Sequence, residues 1–484
     1  MANDKLDHTD RALFFAEWAK VYPVESWEIG GVHLWPVIKK KIHFITKVNG
    51  VGQTKKSSSL LYRIFNKIRK FVKAWIYIKT LKLESVNFLF SSAYQQRITY
   101  RDKEFNRFIE PLMDYLEEEG EKSYFLEYPI IKKKQANRPD RIIDINRMLA
   151  GYSSSRNKKN YIEELKCLPK FESFLESVRE KTGINIEYNK DILIRTVLSI
   201  KSWEKVYTKI IELTKPRYAI SLVYYSDAIY GFNLAARKLG VRSIDLQHGS
   251  LGKAHPAYYF NKVPDKGFNL LPDIFWVWSA SNYKDLKSWA KNTSHKVVLG
   301  GNPWMGFLKQ ERNVNNNLQK LKPVILFTLQ PTNDIIPSYF YKVIEETKDE
   351  FEWWLRFHPR MTEDEKRFVK DKLYDFGLLQ QVILEYSTNS PLPLVLNECD
   401  LHISLSSGSI IEATMSRRFS LILSRTGVNY YENLIIQGWA HPCIEKDPAT
   451  IKNKIKNVLD KKTPMVQDAE QDYKETLQLL LKQD

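Results

Sequence analysis

From Arg217 onward the chain alternates between short apolar runs and amphipathic stretches, and this alternation leaves few architectures open. YAISLVYYS (218–226) reads as a strand, AIYGFNLAARKLG (228–240) as a helix stopped by Gly240, and VRSIDLQHG (241–249) as a strand ending in a turn. PDIFWVWS (272–279) and HKVVLGGNPWMG (295–306) continue the series. A second series follows: strands in PVILFTLQP, FEWWLRFHPR, DLHISLSSGS and FSLILS, with helices around 336–348, 363–377, 392–398 and 410–418. Strands that alternate with helices build a parallel sheet, because parallel neighbours need a long crossover. The expected fold class is therefore α/β, with two doubly wound, Rossmann-like domains. The expected divisions are 1–308, a polar Asn/Gln/Lys-rich linker at 309–322, a second domain at 323–465, and a closing helix within 466–484 that crosses back. Before Arg217, VNFLFSS and SYFLEYP read as strands flanking a helix that ends at Gly120, and residues 136–215 read as mostly helical and basic.

Charge narrows the partners. Lys and Arg exceed Asp and Glu by 17, which favours nucleic acid, an anionic membrane surface or phosphorylated small molecules. Ile29 to Leu83 contains no acid at all. Within the basic segment 39–82, residues Leu60, Leu61, Ile64, Phe65, Ile68, Phe71, Val72, Trp75 and Ile76 recur at helical spacing, with Lys67, Lys70 and Lys73 off that stripe. Two readings fit residues 58–81: a helix lying in an anionic membrane interface, or one packed on its own domain with solvated lysines. Nucleic acid is not expected, because the aromatics lie mainly on the apolar stripe rather than on a stacking platform. The three cysteines are scattered and form no CxxC pair, which suits neither a zinc site nor a disulfide scaffold. The N-terminus lacks a signal peptide's basic region, and no apolar run is long enough to span a bilayer. A cytoplasmic chain, soluble or peripheral at the inner membrane face, is expected.

Open parallel sheets bind ligands at the carboxyl ends of their strands, and three polar clusters fall there. The first is Gln247, His248 and Gly249, followed by His255 and Tyr258. His248 is a candidate general base for an acceptor hydroxyl, or else a histidine that orients the loop; Asp227 is a rival base. Gln247, Gly249, His255 and Tyr258 are candidate acceptor or cleft contacts. The second cluster is His358, Pro359 and Arg360, a phosphate contact or a turn histidine satisfied by backbone. The third is Ser406, Ser407 and Ser409 with Glu412. It reads as a phosphate cradle with a ribose-binding carboxylate, or as an ordinary capping box from Ser409 to Glu412.

With its QHG loop, HPR segment and SS…E pattern, the chain resembles GT-B glycosyltransferases of bacterial capsule and O-antigen synthesis. AARKLGVRSIDLQHGSLGKAHPAYYF and WEIGGVHLWPVIKKK also resemble runs in such proteins. The likeness is to the sialyl- and Kdo-transferases and the CDP-glycerol or CDP-ribitol polyol-phosphate transferases. It implies a nucleotide-sugar donor, with a CMP-sugar favoured, held in the second domain by His358, Ser406, Ser407 and Glu412. It implies a glycan or lipid-linked acceptor in the first domain, with His248 as base. The sequence departs from the sialyltransferases in having QHG where an acidic motif stands, and from the polyol-phosphate enzymes in lacking Trp before His-Gly. No DxD motif occurs, so a metal-independent reaction without a cofactor is expected. A UDP-sugar 2-epimerase is an alternative of the same architecture.

Overall fold

Strands buried on both faces are mainly apolar, and the polar side chains they do carry must find partners inside. Every residue of Tyr218–Leu222 and of Val324–Thr328 is buried. The computed structural model describes residues 8–44, 60–128, 135–149, 151–152, 157–183, 190–249, 251, 255–310, 321–332, 334–462, 464 and 472–482. Contacts divide them into two units. The first lies within Met1–His248, Lys253–Pro303 and Gln471–Asp484, the second within Gly249–Gly252 and Trp304–Glu470.

The main sheet of the first unit has seven strands, all parallel: β1 Phe88–Ala93, β2 Ser123–Tyr128, β3 Ile142–Asp144, β4 Tyr218–Leu222, β5 Arg242–Leu246, β6 Ile274–Val277 and β7 Lys296–Leu299. Their order is β7-β6-β5-β4-β1-β2-β3. Chain order therefore reverses direction between β1 and β4, which pair from Phe88↔Tyr218 to Ser91↔Ser221. The second unit has six parallel strands: β8 Val324–Thr328, β9 Glu352–Arg356, β10 Val382–Ile383, β11 Leu401–Ser404, β12 Phe419–Ile422 and β13 Ala440–Pro442. Their order, β10-β9-β8-β11-β12-β13, is the 3-2-1-4-5-6 arrangement of a doubly wound sheet, with its switch point between β8 and β11.

The basic segment does not behave as one piece. Among its described residues are two helices of opposite character, α1 Leu34–Phe44 and α2 Leu60–Thr80. Helix α1 is interior: Trp35, Val37, Ile38, Ile42 and the charged Lys39 are all buried. Trp35 meets Trp27, Phe15 and Phe174 edge-on, inside an aromatic cluster with Trp18. Helix α2 instead exposes Phe65, Ile68, Phe71, Val72, Trp75 and Ile76.

Helix α3, Glu110–Glu118, supplies its first residue to a buried ionic triad. Arg97 donates to Glu127 Oε1 at 2.7 Å and to Glu110 Oε1 at 2.8 Å, with all three side chains fully buried. Burial pushes the Glu110 carboxyl up to about 7 despite the cation. Helix α4, Asp227–Lys238, starts after β4 and is capped by Ser226 Oγ, which accepts from Ile229 N–H. In the second unit, α5 Ser409–Met415 follows β11. The closing helix α6, Tyr473–Lys482, packs in the first unit. Tyr218 donates to the Leu480 carbonyl at 3.1 Å, and Gln478 Nε2 donates to the Tyr115 hydroxyl at 2.6 Å. Most of the expected linker, residues 311–320, lies outside the described residues. Among those residues no helix is long and apolar enough to cross a membrane.

Candidate active site

In the first unit the site is built on β5. Strand periodicity puts Ser243, Asp245 and Gln247 on one face and Ile244 and Leu246 on the other, all buried. Each polar group is held. Ser243 Oγ donates to Asp273 Oδ2 at 2.9 Å. Asp245 accepts the Tyr224 N–H at 3.0 Å and the Tyr258 hydroxyl at 2.9 Å. Gln247 Nε2 donates to Asn282 Oδ1 at 2.9 Å, while its Oε1 accepts the Trp278 N–H at 2.8 Å. Gln247 thus clasps the ends of β5 and β6 together. Burial pushes Asp245 up to about 8, against two hydrogen bonds that favour its carboxylate.

Strand β4 ends in a strained turn. Val223 has φ +62°, a region that a β-branched residue rarely enters. The turn brings Tyr225 to His248, with its hydroxyl 3.2 Å from Nε2. His248 is half-buried. Its Nδ1 is buried and has no hydrogen-bond partner among the described residues. Burial and the nearby charge of Arg107 push it down to about 4, so its neutral, proton-accepting form prevails near pH 7.

His255 accepts the Ala257 N–H on Nδ1 at 3.2 Å, and its ring lies 4.9 Å from that of Tyr258. Burial, with neighbouring His43, holds it well below the usual histidine range. Helix α1 adds groups that the sequence reading passed over. Lys39 Nζ donates to the Tyr259 carbonyl and sits 4.1 Å from the Phe260 ring centroid. Burial pushes Lys39 down to about 7. Lys40 lies 3.8 Å from Asp227 Oδ1, in the first turn of α4. Asp227 is therefore placed beside a lysine. Gly249 falls in the second unit, and a Cβ on it would meet nothing within 4 Å.

In the second unit, a chain of buried polar groups lies under the switch point. Ser420 Oγ is 2.8 Å from His402 Nδ1, His402 Nε2 is 2.9 Å from Thr328 Oγ1, and Thr328 Oγ1 is 2.8 Å from Ser409 Oγ. Ser409 therefore faces the interior. The capping box expected from Ser409 to Glu412 does not form, because Gly408 is the N-cap and no side chain caps the helix. Glu412 is buried in the first turn of α5.

Ser406 N–H donates to Gln330 Oε1 at 2.7 Å, tying the ends of β8 and β11. The Tyr431 hydroxyl donates to the carbonyl of Ser407 at 2.8 Å and, more weakly, to that of Ser406 at 3.3 Å. Ser406, Ser407 and Gln330 remain half-buried. At the end of β9, His358 Nδ1 accepts the Arg360 N–H at 3.0 Å. That bond assigns the ring proton to Nε2, making Nε2 a donor. Arg360 is exposed. Donors at the ends of β9 and β11, beside the switch point, form a surface suited to an anion. Among the described residues no group of three or more His, Cys, Asp or Glu is arranged to hold a metal ion.

The sequence reading missed Asp245, Lys39, His402 and Thr328. Two carried a signal. Asp245 is an acid set between the apolar Ile244 and Leu246 of a strand, and Trp35, Lys39 and His43 share a four-residue spacing on one face of α1.

Two parallel doubly wound α/β units define the fold class as GT-B. No protein-family model and no curated protein matches the sequence. The structure is similar to that of a protein from Listeria monocytogenes assigned as a UDP-N-acetylglucosamine 2-epimerase. That match has 14% identity and a TM-score of 0.50, covering 82% of this chain and 95% of the other. It is also similar to a UDP co-structure of MnaA from S. aureus, at 14% identity and TM-score 0.49, covering 82% of this chain and 95% of the other. CalG4, the calicheamicin glycosyltransferase, matches at 10% identity and TM-score 0.45, covering 78% of this chain and 90% of the other. At such identities the likeness is one of fold.

Proposed function

We propose that this chain is a sugar-nucleotide enzyme and, within that class, a metal-independent glycosyltransferase. The observation that carries the reading is the polar switch point of the second unit. There Gln330, Ser406 and Ser407 meet at the ends of β8 and β11, with the His358 Nε2–H donor at the end of β9. In this reading the nucleotide lies at those strand ends. His358 and Arg360 face its phosphates, Ser406 and Ser407 bind phosphate or base, and Glu412 takes the ribose. Ser409 acts through Thr328 as a positioning residue.

The first unit holds the acceptor, a hydroxyl of a surface polysaccharide or lipid-linked glycan. His248 takes the hydroxyl proton as the acceptor oxygen bonds to the anomeric carbon. The bond to the nucleotide breaks at the same carbon, and its electrons leave with the phosphate. Epimerisation of a nucleotide sugar is the second reading. The assignment of the Listeria protein names that activity, and the proton-carrying groups around Asp245 and His248 suit proton abstraction.

The test is a thermal-shift panel of CMP, CDP, UDP, GDP and dTDP on wild type and His358→Ala. A nucleotide at 100 times its Kd stabilises the native state by about 2.7 kcal/mol. A selective shift that His358→Ala loses supports the donor site, with CMP pointing to a Kdo- or sialic-type donor. A panel in which no nucleotide shifts the wild type overturns it. Incubating the matching nucleotide sugar without acceptor separates the readings, since only an epimerase returns the epimer.

A further inference from the structure

The unabsorbed feature is helix α2. An isolated amphipathic helix gains stability by burying its apolar face, yet α2 presents that face outward. Phe65, Ile68, Phe71, Val72, Trp75 and Ile76 are all exposed, Phe65 at 66% and Trp75 at 54%. At 100° per residue these six form one continuous arc. Ala74, on the opposite side, is buried, and Tyr77 anchors the helix by accepting the Asp144 N–H at 3.1 Å. From Phe65 to Ile76 the apolar stripe thus faces away from its own domain, while the side chains of Leu60, Leu61 and Ile64 lie outside the described residues.

Cations flank the arc. Arg69, Lys70 and Lys73 are exposed on one side, and none of them has a carboxylate partner among the described residues. On that side α2 and Asn146–Leu149 enclose a groove of about 800 Å³, lined by Lys70, Lys73, Ile76, Tyr77, Arg147 and Leu149 among others. Its lining combines the apolar Ile76 and Leu149 with the cations Lys70, Lys73 and Arg147. Arg147 is shared with Asp144 at 3.2 Å and lies 5.3 Å from the Tyr77 ring centroid. Lys79 lies 5.5 Å from the Trp75 centroid, an arrangement suited to the headgroup level of a bilayer.

We infer that α2 docks the protein on an anionic phospholipid bilayer. The arc from Phe65 to Ile76 enters the acyl boundary, and Lys70, Lys73 and Arg147 take lipid phosphates at the groove. Charge complementarity selects this occupant: an apolar arc alone would fit a protein partner, but a flank of Arg69, Lys70 and Lys73 with no carboxylate partner among the described residues fits a surface of phosphates. The inference does not depend on the reaction catalysed.

The test is co-sedimentation of the full chain with vesicles of phosphatidylcholine alone and of phosphatidylcholine with 30 mol% phosphatidylglycerol. Wild type is expected on the anionic vesicles only and is expected to leave them as salt rises. Lys70→Ala with Lys73→Ala is expected to weaken partition by roughly 30-fold. Phe71→Ser with Trp75→Ser is expected to abolish it at low salt. All four positions are exposed, so the variants are expected to melt at the wild-type temperature. Equal partition to both vesicle types, or wild-type partition by either double variant, overturns the inference. So does a wild-type dimer that Phe71→Ser with Trp75→Ser renders monomeric while vesicles capture neither.

Discussion

His402 offers a sharp test of how the second unit is held together. It is fully buried on β11, between Ser420 and Thr328, and burial pushes it down to about 3 from an ordinary value near 6.5. The unfolded chain therefore binds a proton between those values that the native state does not. Stability must rise with pH across that window and fall as pH drops through it. The full cost is about 5 kcal/mol, reached below pH 3. Between pH 7 and pH 5 it is about 2 kcal/mol. His402→Gln keeps a polar bridge but cannot titrate. The assay is native-state hydrogen exchange of the β8, β11 and β12 amides in both proteins at pH 7 and pH 5, where intrinsic exchange rates cancel in the comparison. The gap between wild type and His402→Gln should move by about 2 kcal/mol against wild type at pH 5. A gap that is the same at both pH values would refute the reasoning, because the ring would then titrate alike in both states.

Arg97→Met leaves two buried carboxylates without their cation and is expected to cost about 3–5 kcal/mol in denaturant melts at pH 7.5. The deficit should shrink by pH 5.5, as Glu110 and Glu127 take up protons. Gly427→Ala would set a Cβ 2.1 Å from the Leu405 carbonyl oxygen, so it is expected to displace the Ser406–Ser407 turn. Nucleotide binding by titration calorimetry should weaken at least 10-fold, on the order of 1.4 kcal/mol or more. Lys39→Met removes a buried ammonium. It is expected to melt above wild type at pH 7 and to lose that margin by pH 10, because the lowered lysine already favours the native state as pH rises.

Much of the fold could be read from the chain because parallel strands buried on both faces are mainly apolar runs, and helices between them repeat at 3.6 residues. The strands of the two main sheets that escaped, β3, β10 and β13, are two or three residues long, too short to carry a period. At the site, the strand-end motifs were visible as polar clusters, but their partners were not. His402, Thr328, Ser409 and Ser420 are separated by up to 92 positions and meet only because β8, β11 and β12 adjoin and α5 starts beside them. The direction in which α2 turns its apolar stripe is likewise a property of what packs behind it. Its own periodicity is the same in either orientation.

The placement of α6 has a consequence for how the molecule is made. Tyr218 lies in a central strand of the first unit, yet its hydroxyl partner Leu480 and the neighbouring Gln478–Tyr115 bond come from near the end of the chain. During synthesis, the seven-stranded body emerges first and waits through Trp304–Glu470 of the second unit before those partners leave the ribosome. A nascent chain halted just before Tyr473 would carry a second unit with all its strands and a first unit with an uncovered flank. Protease sensitivity on such stalled chains should therefore concentrate around β4 and α3, in the part translated earliest.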